Sequence, residues 1–256
     1  MNKILLFSLV LSILSCNKNS ADTSAPDTKN QLLTKIQYTI VFPESGIHYN
    51  ESVSFEYDAS KRLVAEGARH YYRDDKERII RITDPNTPTN RKDITVHYID
   101  SSSEIVNYTK CVGTAGNRFI DSTVYVHDNF GRVVKLLSFF SDEHNAVFLS
   151  QYDDFIYDQK GNLAQWLGYT INFGVAKLCR GGYFTEYDEN VNPLYTKDEV
   201  RILQNFWGVL NISPNNFKSL NNSDKKIFEY FADGKPSTCI IEKQGNEQAK
   251  LTYFYE

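Results

Sequence analysis

The chain is short of the residues from which catalytic and metal chemistry is most often built. Its 256 residues include 4 Cys and 5 His, and no two cysteines are close enough to form a zinc knuckle. The histidines, at positions 48, 70, 97, 127 and 144, show no His-x-His or His-Glu-x-x-His spacing. Excess basic charge is missing too: Lys+Arg total 28 against Asp+Glu 32, a net charge of −4. That balance excludes nucleic acid as a main partner, because phosphate binding needs a concentrated basic surface. No nucleophile elbow, phosphate-cradling loop or dinucleotide fingerprint is present, so no cofactor is expected. What is abundant is aromatic: 17 Tyr, 16 Phe and 2 Trp, far too many buriable groups for a disordered chain.

The one long apolar run, Ile4 to Leu14, follows Lys3. It is too short for a spanning helix of ~20 residues but suits the core of a secretory leader. It ends in Ile13-Leu14-Ser15-Cys16. A small residue before a cysteine at this place resembles the lipobox of bacterial lipoproteins. The resemblance implies a leader over residues 1–15, cut before Cys16, whose sulfur takes diacylglycerol and whose new amine takes an acyl chain such as palmitate. Multiple acyl chains anchor stably where one is marginal. Residues 16–33 begin with polar, Pro- and Ser-containing sequence that reads as a flexible tether. Asn17, where an Asp commonly retains lipoproteins at the inner membrane, points by the same resemblance to the outer membrane.

From Phe55 onward a turn signature recurs. Asp58, Asp74, Asp100, Asp128, Asp158 and Asp188 each open a short polar stretch, and all but Asp100 are followed four residues later by Arg or Asn. A further copy, Tyr230 to Pro236, displaces the Asp. Asp accepts hydrogen bonds from backbone amides two residues on, and a fourth-position Gly takes the left-handed conformation of a bulged hairpin loop. Gly fills that place only at 131 and 161. Lys61, Glu77, Ser103 and Val191 resist positive φ, which predicts longer or different turns there.

Between the turns the sequence alternates, as in Val53, Phe55 and Tyr57, in Ile94, Val96 and Tyr98, and in Leu251, Tyr253 and Tyr255. About fourteen such segments occur, more than a flat open sheet carries without curling. Residues 34–256 are therefore expected to form one all-β domain. Its form would be a long antiparallel meander of hairpins, strongly curved, two-layered or a half-barrel. One short helix is expected near 197–207, where Thr196 and Glu199 have capping-box spacing and Val200, Leu203 and Trp207 lie on one stripe.

The Tyr-Asp-x-x-Gly copies are similar to the YD repeats of Rhs-type proteins, which build β-hairpin sheets. Taken with the lipobox, the tether, Asn192-Pro193-Leu194 and Ser213-Pro214-Asn215-Asn216, the chain resembles an uncharacterised family of Bacteroidota outer-membrane lipoproteins. That resemblance implies fold and location. It carries no functional residues.

Few candidate sites emerge. Cys16 is the lipid attachment point. Cys111, Cys179 and Cys239 leave open one disulfide with a spare thiol, or three thiols. Asp153-Asp154 and Asp142-Glu143 are the carboxylate clusters a hydrolase would need, but neighbours on a strand point to opposite faces. His97 and His127 lie on nearby strands. Trp166 with Tyr169 is a candidate ligand platform, since such rings stack on sugars. Three functions follow. The first is a non-catalytic binding module for a glycan or partner protein. The second is an envelope carrier or assembly accessory binding lipid or a client protein. The third is a hydrolase.

Overall fold

A computed structural model describes residues 31–42, 47–86, 93–112, 120–141, 146–195, 212–221 and 224–256. They form sixteen strands: β1 (Leu33–Phe42), β2 (Ile47–Tyr57), β3 (Leu63–Glu66), β4 (Arg69–Arg73), β5 (Ile79–Thr83), β6 (Asp93–Tyr98), β7 (Val106–Val112), β8 (Ile120–His127), β9 (Val133–Ser141), β10 (Val147–Tyr157), β11 (Leu163–Asn172), β12 (Val175–Val191), β13 (Asn215–Leu220), β14 (Asp224–Tyr230), β15 (Pro236–Lys243) and β16 (Asn246–Tyr255). Each pairs antiparallel with its sequence neighbours, and β1 pairs with β16, so the meander closes into a barrel.

Closure corrects the expected open, strongly curved, two-layered or half-barrel sheet. β1 and β16 run side by side from Leu33↔Tyr255 to Ile40↔Ala249. Reciprocal backbone bonds between Leu32 and Glu256 extend the seam. Pairing the terminal strands satisfies two rows of N–H and C=O groups that an open sheet would leave as edges. Alternation within a strand does not say which strand lies beside it, so closure was hidden in the sequence. The expected helix over 197–207 lies outside the described residues, and no α-helix occurs among those that are described.

One end of the barrel is built by the recurring aspartates. Asp58 Oδ1 accepts from the amides of Ser60 and Arg62, and Oδ2 accepts from Arg62 Nε at 2.7 Å. Asp74 with Lys76 and Arg78, and Asp128 with Phe130 and Arg132, repeat this arrangement. Lys61 and Glu77 adopt φ of 62° and 67°, close to Gly131 at 76° and Gly161 at 85°. The same turn is thus kept without glycine, contrary to the expectation for these two positions. The carboxylate bonds hold the backbone in a conformation that its side chain disfavours.

Four tyrosines then tie strand ends at the turn side to the starts of earlier strands. Tyr57, Tyr98, Tyr157 and Tyr187 donate to the carbonyls of Leu33, Ile79, Val133 and Leu163. Arg78 lies over the Tyr98 ring at 4.4 Å and Arg132 over Tyr157 at 4.6 Å. Above these turns the inward face is a packed core, with Ile79, Ile82 and Leu163 each 1% exposed. Known sixteen-stranded porins leave an aqueous channel. Here the turn end of the lumen is filled by side chains.

Candidate functional site

Beside the β1–β16 seam the core leaves a small apolar recess of about 40 Å³. It is lined by Ile36 and Tyr38 of β1, Val53 and Phe55 of β2, Glu66 of β3, Leu251 of β16 and Leu194 beyond β12. Alternation puts these groups inside: Ile36 faces Val53 and Tyr253 across the ladders, while Tyr38 faces Glu51 and Leu251. Glu51 accepts hydrogen bonds from both Tyr38 and Tyr49. These bonds hold its carboxyl below the usual range. Burial, followed by the bond to Glu51, raises the Tyr38 phenol to about 12. Glu66 accepts from Tyr71 at 2.8 Å.

The interior row that contains Tyr38 and Leu251 continues through Cys239 of β15 to Phe228 of β14. Lys226 stands on the same face, two residues from Phe228. Its Nζ lies 3.7 Å from the centre of the Phe217 ring, which packs edge-on against Phe184 at 5.1 Å. Loss of water among these groups pulls the ammonium down to about 8. Burial pushes the neighbouring Cys239 thiol up to about 11. Sequence reading missed Lys226, although a signal was present. In Lys225-Lys226-Ile227-Phe228-Glu229-Tyr230 this lysine shares its parity with the two aromatics.

A polar cluster occupies the opposite wall. Asp153, 6% exposed, faces inward beside the core residue Phe155. It accepts from Trp166 Nε1 at 2.9 Å and from Arg180, whose Nη2 lies 3.0 and 2.9 Å from its two oxygens. Gly168 sits between Asp153 and Arg180 across the strands, and a Cβ there would lie 2.5 Å from Arg180 Cγ. The cluster therefore needs glycine. Asp154 points outward to Lys135 at 2.8 Å, so the two carboxylates address different sides of the wall.

The structure separates Trp166 from Tyr169. Trp166 faces the lumen, whereas Tyr169 lies on the outer face, stacked on Tyr152 at 4.5 Å. One ligand cannot stack on both. His97 stacks on Tyr108 at 4.3 Å, while His127 sits opposite Val133, so the ladder does not bring the two histidines together. Cys111 and Cys239 are buried, Cys179 is exposed, and all three are free thiols. Asp142, Glu143 and His144 lie outside the described residues, as do Cys16 and Trp207. Among the described residues no group of three or more His, Cys, Asp or Glu is placed to hold a metal.

The outer surface has two characters. On β1, β2, β4, β14 and β16 the exposed groups include Gln37, Ser54, Glu56, His70, Lys225 and Lys250, beside Tyr72, Ile227 and Phe254. From β6 to β12 it carries a row that is apolar or aromatic: His97, Tyr108, Val124, Leu137, Tyr152, Tyr169 and Leu178. A lipid-spanning barrel needs an apolar band around its whole circumference. This barrel has one over part of it.

No protein-family model and no curated protein matches the chain. Solved structures do. A porin-like protein from Bacteroides vulgatus ATCC 8482 superposes with a TM-score of 0.57 at 12% identity, covering 89% of this chain and 99% of that one. A porin-like protein from Bacteroides uniformis ATCC 8492 gives 0.54 at 11%, covering 88% and 98%. The likeness shows the fold. It gives the Rhs-type resemblance no support, and the shared architecture is a β-barrel matched over nearly its whole length.

Proposed function

We propose that this chain is a non-catalytic outer-membrane lipoprotein, held by acyl chains on Cys16, whose barrel receives an amphipathic lipid in its lumen. The recess bounded by Ile36, Tyr38, Val53, Phe55 and Leu251 carries this reading. Apolar surface left open to an internal space is stabilised by an apolar ligand, and sites for such ligands are concave with a few polar groups at the edge. Glu66 lines the recess, Glu51 bonds Tyr38 in its wall, and Lys226 lies farther along the same interior face. The porin-like structural neighbours favour an outer-membrane location. The interrupted outer apolar row favours a barrel tethered beside the bilayer.

The hydrolase reading loses the Asp153–Asp154 pair, because Asp153 is engaged by Arg180 and Trp166 and Asp154 faces the other way. Titration of the mature protein with a fluorescent fatty-acid probe tests the lumen. Saturable binding, abolished by Val53→Trp, which fills the recess, is the expected result. A probe that is never displaced by unlabelled lipid would sink the reading.

A second reading rests on the Trp166–Asp153–Arg180 cluster. An indole beside a paired carboxylate and guanidinium offers a stacking face and hydrogen bonds to a sugar. Quenching of Trp166 fluorescence by a glycan panel, absent in Trp166→Phe, would favour this glycan-binding module over the lipid carrier.

A further inference from the structure

Several charged groups that face the barrel interior have partners among the described residues. Asp153 is paired with Arg180 at 2.9 Å and Arg69 with Asp84 at 3.2 Å. Glu66 is bonded to Tyr71, and Glu51 to two phenols. Lys226 has no carboxylate partner among the described residues. Its contact is the face of Phe217 at 3.7 Å. An ammonium has three donors and no acceptor, and a ring face satisfies at most one direction. Lys226 is partly buried, and a cation that loses part of its water without gaining an anion costs stability.

Lys226 lies on the same interior face of the wall as the recess. The row Tyr38–Leu251–Cys239–Phe228 crosses β1, β16, β15 and β14, and Lys226 is the next inward residue on β14. Two strand spacings and one step of two residues separate the Cα atoms of Lys226 and Leu251 by about 12 Å. An acyl chain spans that gap and a short carboxylate does not. Phe228 and Ile241, which faces Lys226 across the β14–β15 ladder, provide an apolar path along it.

We infer that Lys226 is the head-group anchor of the lumen, and that the ligand is a long-chain carboxylate or similar amphipathic monoanion whose tail lies in the recess. This deepens the lipid-carrier reading and rests on it. The anion supplies the partner that the fold withholds, and Phe217 holds the ammonium toward the lumen until it arrives. The neighbouring thiol Cys239, 1% exposed, is too buried to take part.

The test compares cis-parinaric acid with its methyl ester on the mature protein. One charge-assisted hydrogen bond is worth about tenfold or more in affinity, so the acid is expected to bind at least that much tighter than the ester. Lys226→Met should bring the two probes to near-equal affinity, the acid losing at least about tenfold more than the ester. Lys226→Arg should restore the preference. Equal affinities in the unsubstituted protein, or a preference that survives Lys226→Met, would overturn the inference and leave lumen binding intact. If neither probe binds, the lumen reading itself fails. Should Lys226→Met fail to fold, the acid-to-ester ratio of the unsubstituted protein and of Lys226→Arg decides the question.

Discussion

At the residue scale, the barrel accepts local strain where a ligand or a turn requires it. Lys226 is the sharpest case. Its ammonium falls from 10.5 to about 8 because burial penalises the charge, so its charged form destabilises the fold at neutral pH. A depressed lysine favours the neutral folded form. Stability is therefore expected to rise with pH between about 8 and the unfolded value near 10.4. Lys226→Met is expected to raise Tm at pH 7 and to flatten that rise, as followed by circular dichroism. A residue that weakens the fold and is nonetheless used belongs to a site rather than to packing.

The turn residues show strain of another kind. Lys61 sits at φ 62°, where an L side chain costs ~1–2 kcal/mol and glycine's extra unfolded freedom offsets up to ~1. Lys61→Gly should stabilise by roughly 0.5–1 kcal/mol, a Tm increase of about 1–4 °C. No rise in Tm would mean that the Asp58 bonds already remove the strain. Those bonds also set the acid limit. Hydrogen bonds from Arg62 hold Asp58 low, and bonds from Ser102 do so for Asp100. At Asp74 and Asp128 burial pushes upward, but the Arg78 and Arg132 bonds outweigh it. Carboxylates lowered in the fold contribute stability that is complete above about pH 4 and fades as pH falls through their folded values. Thermal melts from pH 6 to pH 2 should show this loss, and Asp128→Asn should make it shallower.

At the element scale, four strand ends at the turn side are fixed to earlier strands by a tyrosine. Tyr157 donates to the Val133 carbonyl at 2.7 Å, and Arg132, ion-paired with Asp128 at 2.6 Å, covers the Tyr157 ring. Tyr157→Phe should cost about 1 kcal/mol, and more if the carbonyl stays dry. Combined with Arg132→Met it should lose less than the sum, because both changes remove one stacked contact. Strictly additive effects would show that neighbouring turns are independent.

This interlock explains what was legible in the sequence. Turn aspartates and alternating strands are local devices, written within a few residues, and both were readable. The closing β1–β16 pair joins residues more than two hundred positions apart, and no local pattern reports it. Local parity was readable but misapplied at Trp166 and Tyr169, which stand three apart on a regular strand and so face opposite sides. Lys226 and Asp153 each share parity with core aromatics. That sign is written in the sequence, but at both positions it is overshadowed by a charged neighbour of opposite parity.

At the scale of the whole molecule, the question is which solvent surrounds the barrel. Bilayer lipid demands an apolar exterior about 25 Å tall on every strand. The row from His97 to Leu178 supplies this chemistry on one side, but Gln37, Ser54, Glu56 and Lys250 face outward on the strands around the β1–β16 seam. Charged groups at bilayer depth cost several kcal/mol each, so full insertion is opposed by far more than one sector of apolar contact returns. Under the proposed reading, attachment to the membrane depends on acyl chains at Cys16. Residues 17–256, exported behind an ordinary cleavable leader, are expected to enter the aqueous phase of a Triton X-114 partition as folded protein, whereas the chain bearing Cys16 enters the detergent phase. If the unlipidated barrel still followed the detergent, the apolar row would have to insert by itself, and the tethered arrangement would give way to a membrane-embedded one.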